Sequence, residues 1–387
     1  MPIVNRLADF QPEVAAWRQD LHAHPELGFE VHRTAGLVRE RLTAFGCDEV
    51  VAGIGRTGVV GVIRGRKGPG RTIGLRADMD ALPILEAVER PYQSTVPGSM
   101  HACGHDGHTA MLLGAARYLA ETRNFAGTAV VIFQPAEEGG GGGREMVDDG
   151  LMDRFGIEEV YGMHNFPGLP VGQFAIRSGP MLAAADKIRI DIEGKGGHAA
   201  RPHACVDTVL VATQIINAVQ SIVSRSVDPL ESAVISITMM EAGNTDNVIP
   251  QSAVLRGTVR TLSAQVQDLV ERRLREVVEG IANAFGARAT LTYQRSYPVM
   301  VNHDGPTAFA AGVAADVAGR ERVSTSIAPL MWAEDFSFML NARPGAFIFV
   351  GNGDSADLHH PAYDFNDEVI PVGMSYWVRL AETALQS

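Results

Sequence analysis

The chain has 387 residues, with 33 basic and 45 acidic side chains and a formal charge of −12. The length suggests two domains, and the acidic balance argues against nucleic-acid or anionic-membrane partners. Three cysteines, Cys47, Cys103 and Cys205, cannot make a paired framework and suit a reducing compartment. The Met1–Arg6 stretch lacks a basic start followed by an apolar run, and no segment approaches the roughly 20 apolar residues that span a bilayer, so a cytoplasmic chain is expected.

In chain order, Val59–Ile63 and Thr72–Arg76 read as strands, and Asp106–Thr122 as a helix with Met111, Leu112, Ala115 and Leu119 at helical spacing. Asp106 is expected to cap the start of that helix. Thr128–Phe133 is a short apolar run between Gly127 and Pro135, which suits a strand buried on both faces of an α/β sheet. Val160–His164 reads the same way. The pattern then changes. Lys187–Ile192 alternates polar and apolar, as a strand with one wet face does. It is followed by a helix over Val206–Val223, strands Ala233–Met239 and Ala253–Arg260, a helix over Ser263–Ala284 and a strand over Ala289–Arg295. That β-α-β-β-α-β order is ferredoxin-like. Helix Gly305–Val317, strand Ala346–Val350 and helix Pro371–Leu385 resume the first pattern. The fold class is therefore α/β: a domain with a central mixed sheet over 1–185 and 298–387, carrying an inserted ferredoxin-like α+β domain over 186–297.

Twelve histidines are unevenly spread. Three of them, with Cys103 and Asp106, fall between His101 and His108. Thiolate and imidazole are preferred zinc ligands, and Cys103 and His105, separated by one glycine, can share an ion. Glu137 and Glu138 follow the buried strand, where α/β folds place ligands. Two adjacent carboxylates can divide the work, one binding metal and one accepting a proton from water. His164, the Asp357–Pro361 segment and the Arg76–Pro83 segment with Asp78 and Asp80 also sit at or beyond strand ends, so these segments can converge on one rim. In the insertion, His198 lies in a glycine-rich turn, and Asn247 and Arg260 share that domain. Arg260 can grip a carboxylate through its fork. The Gly139–Gly143 run lacks the Gly-Lys-Ser/Thr ending of a phosphate loop.

The segments Leu21–Phe29, Arg76–Pro83, Met100–Thr109, Phe133–Gly139, Gly196–Ala199, Asn247–Pro250, Glu334–Phe336 and Tyr363–Asp367 together resemble the hippurate hydrolase and auxin-conjugate amidohydrolase branch of the aminoacylase-type two-metal peptidases. The resemblance covers nearly the whole chain. It implies a catalytic domain with a dimerising lid and two divalent ions per subunit (zinc, manganese, nickel or cobalt). By motif position the metal ligands are Cys103, His105, Glu138, His164 and His359, and Glu137 is the general base. His198 helps bind the substrate carbonyl, in relatives often across a dimer interface, while Asn247 and Arg260 bind near the substrate carboxylate. The implied reaction is amide hydrolysis of N-acyl amino acids by a homodimer or larger homo-oligomer, with a metallo-dipeptidase or carboxypeptidase as the alternative. Trp332 stands where relatives often carry a small residue, which implies a reshaped acyl pocket. A cysteine hydrolase leaves Glu137, Glu138 and His164 without roles, and a non-catalytic metal-binding protein needs no Glu137.

Overall fold

A computed structural model describes residues 5–386. The chain divides into two compact units, the first comprising the stretch up to Gly179, Val301–Ala328 and the stretch from Asp335, the second Pro180–Met300 with Pro329–Glu334. The second unit thus begins before residue 186 and extends past residue 297. It also takes back a six-residue segment whose chain position gives no hint of this.

The first unit starts with helices α1 (Asn5–Ala23) and α2 (His32–Ala44). Strands β1 (Glu49–Ile54), β2 (Gly58–Arg64) and β3 (Thr72–Asp78) follow, then α3 (His105–Thr122), β4 (Thr128–Gln134), α4 (Gly142–Asp148), β5 (Glu159–Pro167) and β6 (Phe174–Ala175). The second unit contributes β7 (Ala184–Glu193), α5 (Thr208–Arg225), β8 (Ala233–Ala242), β9 (Ser252–Thr261), α6 (Ala264–Ala284) and β10 (Arg288–Tyr297). The chain then returns to the first unit with α7 (Asp304–Ala318), β11 (Val323–Ser324), α8 (Phe336–Ala342), β12 (Gly345–Gly353) and α9 (Ile370–Ala384).

Eight strands of the first unit form one mixed sheet in the order β1-β2-β4-β3-β5-β12-β6-β11. Its centre, β4-β3-β5-β12, is parallel throughout. Parallel strands are covered on both faces, and this explains the uninterrupted apolar runs. In β4, Ala129, Val131 and Phe133 join a core built with Leu112 and Leu113 of α3 and Met374 and Trp377 of α9, while Val130 and Ile132, pointing the other way, are equally buried. The carboxyl ends of the four parallel strands therefore share one edge. Asp78 ends β3, Asp80 and the Glu137–Glu138 pair lie just beyond β3 and β4, His164 lies in the last part of β5, and His359 follows β12. In open α/β sheets this is the edge that carries ligands.

The second unit is a four-stranded antiparallel sheet, β8-β9-β7-β10. With α5 and α6 it has the ferredoxin-like order expected from the sequence. Ile188, Ile190 and Ile192 of β7 pack with Val211, Ile215, Leu274 and Val278 of the two helices, while Lys187 and Glu193 are exposed. The period-two alternation thus produces one buried and one wet face.

Two elements went unread and one local expectation fails. The N-terminal helices escaped sequence reading, in part because Pro12 lies inside α1 and proline ordinarily breaks a helix interior. Asp106 does not cap α3. That position is taken by Gly104, in the left-handed region at φ 89, with no side-chain cap. Asp106 is turned inward and accepts a hydrogen bond from His22 instead.

Candidate metal centre

Gly104 is where the metal-ligand segment turns into α3. A side chain there would put its Cβ 2.4 Å from Asn165 Oδ1 and 2.6 Å from the Tyr363 hydroxyl. Only glycine combines this φ with so close an approach. Gly104→Ala is expected to destabilise the protein by about 2–5 kcal/mol, adding overpacking to left-handed strain. Denaturant unfolding of the purified variant checks this.

The turn brings Cys103 and His105 to His164 at the end of β5. Cys103 Sγ lies 3.4 Å from His164 Nε2, and the rings of His105 and His164 are 5.9 Å apart, edge to face. Each histidine is oriented from behind: His105 Nδ1 donates to the Asp80 carbonyl at 2.9 Å, and His164 Nδ1 to the Asn165 carbonyl at 2.7 Å. Both Nε2 atoms are left facing the cluster, the usual arrangement for metal-binding imidazoles. Glu138 enters after β4, with Oε1 3.9 Å from His105 Nε2 and 3.2 Å from His359 Nε2. His359 sits in the left-handed region at φ 63. A non-glycine residue held there is strained, and such strain clusters at functional sites.

The donor atoms fall into overlapping groups, each within 4.8 Å of one another: Cys103, His105 and His164; Cys103, Glu138 and His359; and His105, Glu137 and Glu138. Cys103 belongs to the first two. His105 Nε2 is buried without a hydrogen-bond partner, and its nearest carboxylates, Asp78 at 3.7 Å and Glu138 at 3.9 Å, are out of range. A buried imidazole nitrogen left in this state is costly. A soft thiolate, two or three imidazoles and a carboxylate fit a divalent ion of the zinc type and its neighbours. Burial first, then the carboxylates of Glu138 and Glu137, push the Cys103 thiol well above its ordinary range. Burial, with His108 beside it, keeps the His164 imidazole neutral. A cation among these donors would offset the crowded negative charge and favour the thiolate.

Glu137 is buried, and its Oε1 accepts the Asp335 N–H at 3.4 Å. Asp335 Oδ1 is fixed by Arg76 at 3.1 Å and Gln134 at 2.7 Å, and its Oδ2 by the Gly143 N–H at 2.8 Å. The glycine run serves this packing rather than phosphate. A Cβ on Gly142 would lie 1.7 Å from the Pro135 carbonyl. Asp80 organises the other side. Its two carboxylate oxygens accept the N–H groups of Glu137 and Glu138, each at 3.0 Å, while its carbonyl holds His105. One residue thereby ties the two glutamates to a candidate ligand. Asp78 accepts from Arg76 at 2.7 Å and His108 at 2.6 Å. The supporting roles of Asp80 and Asp335 were not assigned from sequence, because their partners lie 25 and 192 or more residues away along the chain.

The second unit places His198 and Asn247 together. Gly197–His198 pairs with Val248–Ile249 in a short antiparallel ladder, and the Asn247 carbonyl accepts the Ala199 N–H at 3.0 Å. Both side chains are exposed. Arg260, half-buried on β9, donates to Thr258 Oγ1 and the Val259 carbonyl, and among the described residues no carboxylate pairs with it. Trp332 is part of the same unit, and its carbonyl accepts the Ala183 N–H at 2.7 Å.

The arrangement at the sheet edge agrees with what the comparisons find. The model of peptidase family M20/M25/M40 matches residues 74–383. The chain belongs to this family. It is 41% identical to a hippurate hydrolase of Campylobacter jejuni over 98% of this chain and 99% of that one. It is 39% identical to an N-acetylcysteine deacetylase of Bacillus subtilis, covering 98% of each. A crystal structure described as a dinuclear metal binding peptidase of the M20 family, from Bacillus subtilis, superposes with a TM-score of 0.86 at 35% identity, covering 98% of this chain and 99% of that one. This M20 member is a hydrolase of amide bonds. Among the described residues no helix is long and apolar enough to cross a membrane.

Proposed function

We propose that this M20 hydrolase cleaves the amide bond of N-acyl amino acids, releasing a carboxylic acid and an amino acid, with two divalent metal ions per subunit. The observation that carries the reading is the pair of three-donor groups sharing Cys103, placed beside the buried Glu137 at the carboxyl edge of the sheet. Cys103, His105 and His164 would hold one ion, and Cys103, Glu138 and His359 the other. Relatives named for hippurate and for N-acetylcysteine support an acylated amino acid as substrate.

When bound, the ions supply Lewis acidity and bring the pKa of water from 15.7 to about 7. Glu137 takes the proton of the attacking water and returns it to the leaving nitrogen. Its Oε1 is anchored on the Asp335 N–H. His198 polarises the scissile carbonyl. Arg260, which makes no ion pair among the described residues, grips the substrate carboxylate through its fork, and Asn247 supports it. We also propose a homodimer or larger homo-oligomer, and a reducing compartment such as the cytoplasm, where three free cysteines stay thiols and Cys103 remains a ligand.

A substrate panel tests this function: N-acetyl, N-benzoyl and indole-acetyl amino acids against free dipeptides, each with metal-loaded protein. The expected result is turnover of one or more N-acyl amino acids at least about ten-fold faster in kcat/KM than of dipeptides, a difference of about 1.4 kcal/mol in transition-state binding. Faster cleavage of dipeptides would replace the reading with a dipeptidase. No cleavage of any amide would contradict it.

A further inference from the structure

A chain of buried charges runs beside the donor cluster without entering it. His22, on α1 and fully buried, stands between two carboxylates: Nδ1 lies 2.8 Å from Asp106 Oδ2 and Nε2 3.3 Å from Glu86 Oε1. Asp106 directly follows His105. Arg18, one helical turn before His22, lies 3.6 Å from Asp106 and clamps Asp367 with two bonds of 2.8 and 3.0 Å. Its guanidinium stacks over Tyr92 at 4.3 Å, and the Tyr92 hydroxyl donates to Asp364 at 3.0 Å.

On the other side, Glu86 accepts the Ser94 N–H at 2.8 Å and faces Arg90 at 3.6 Å. Arg90 donates to the carbonyls of Tyr363 and Ala362 at 2.8 and 3.1 Å and pairs with Asp364 at 3.0 Å. The array therefore has two ends. One is the start of α3, which carries Cys103 and His105. The other is the segment that follows His359. Burial opposes charge on His22, but the hydrogen bonds of Asp106 and Glu86 outweigh it and lift the imidazole to about 9. His22 is thus a cation between two anions, and buried charges persist only when paired in this way.

We propose that His22 is a positioning residue: by bridging Asp106 and Glu86 it fixes the Cys103–His105 segment against the His359 segment, and so sets how tightly the donor cluster holds its ions. The proposal rests on the metal-dependent reading above. Groups that support ligands from behind typically change metal affinity 10–100-fold when removed.

The test compares full-length wild type, His22→Gln and Glu86→Gln, with cobalt(II) as probe. Three quantities are read: the cobalt dissociation constant by competition with a chromophoric chelator, the thiolate-to-cobalt absorption in the near ultraviolet, and the thermal midpoint of the metal-free protein. His22→Gln is expected to weaken cobalt binding about 10–100-fold and to alter the thiolate band. Glu86→Gln, which keeps the His22–Asp106 bond, should move both in the same direction by less. A cobalt dissociation constant within about three-fold of wild type in the folded variants, with the band unchanged, would overturn the proposal whatever the thermal midpoint does. Should His22→Gln not fold, Glu86→Gln decides by the same criterion. A wild type that binds no cobalt overturns this proposal together with the reading beneath it. Tight wild-type binding matched by the variants overturns this proposal alone.

Discussion

Glu137→Gln is expected to lower kcat by about 10²–10⁴, the contribution of a positioned general base, while metal content stays at the wild-type level. On the transition-state scale that is about 2.7–5.4 kcal/mol. The prediction follows from geometry. Glu137 belongs to two candidate donor groups, one with His105 and Glu138 and one with Glu334 and Asp335, whereas the two groups sharing Cys103 are complete without it. The amide of glutamine keeps the size of the side chain and still accepts the Asp335 N–H, so the site should stay assembled. Metal analysis and steady-state kinetics on one preparation check both halves. An active Glu137→Gln enzyme would remove Glu137 as the base, and an inactive one without metal would move it among the ligands.

Cys103→Ser should act on the other half of the site. Cys103 is common to two donor groups, so its loss is felt at both proposed ion positions at once. Serine is nearly the same size but ionises far less readily than a thiol, and it is a poorer ligand for zinc-like ions. Metal content is expected to fall, and turnover to drop more than about 100-fold, beyond the range typical for groups that only support ligands. A nucleophilic cysteine would give a different pattern, with activity lost and metal content retained. Direct metal analysis of Cys103→Ser separates the two.

Much of this was legible in the sequence because the informative residues are local. Thr128–Phe133 is apolar without alternation because β4 is covered on both faces, and β7 alternates because one of its faces is wet. These two patterns distinguish the units from sequence alone. Cys103 with His105, and Glu137 with Glu138, are close in sequence and stand directly beside the turns that present them. His164 and His359 are single residues, and what marked them was position: the sequence pattern puts each at or beyond the end of a strand, although β5 runs on to Pro167. The roles implied by the family resemblance for His198, Asn247 and Arg260 rest on motif position and stay proposals.

What stayed hidden depends on partners distant in the chain or on backbone geometry. Asp80 works by accepting two backbone N–H groups beyond β4, which no side-chain pattern records. His22 is a polar residue on a helix until Asp106 and Glu86 close around it. The expected cap at Asp106 was wrong for a related reason. Acidic residues in a first helical turn favour capping on average, but the left-handed Gly104 already sets the start of α3, and the buried imidazole of His22 is the stronger partner. The return of Pro329–Glu334 to the second unit belongs to the same class, since it is decided by packing alone.

The central claim is that hydrolysis depends on ions held by the cluster around Cys103. Its most direct test is a metal titration of chelator-stripped wild-type protein, with release of the free amino acid from an N-acyl amino acid measured at each addition. The stripped protein is expected to show no turnover, and activity to rise with added zinc, manganese or cobalt and level off at about two ions per chain, the stoichiometry of a two-metal site. Undiminished turnover by the fully stripped protein would contradict it.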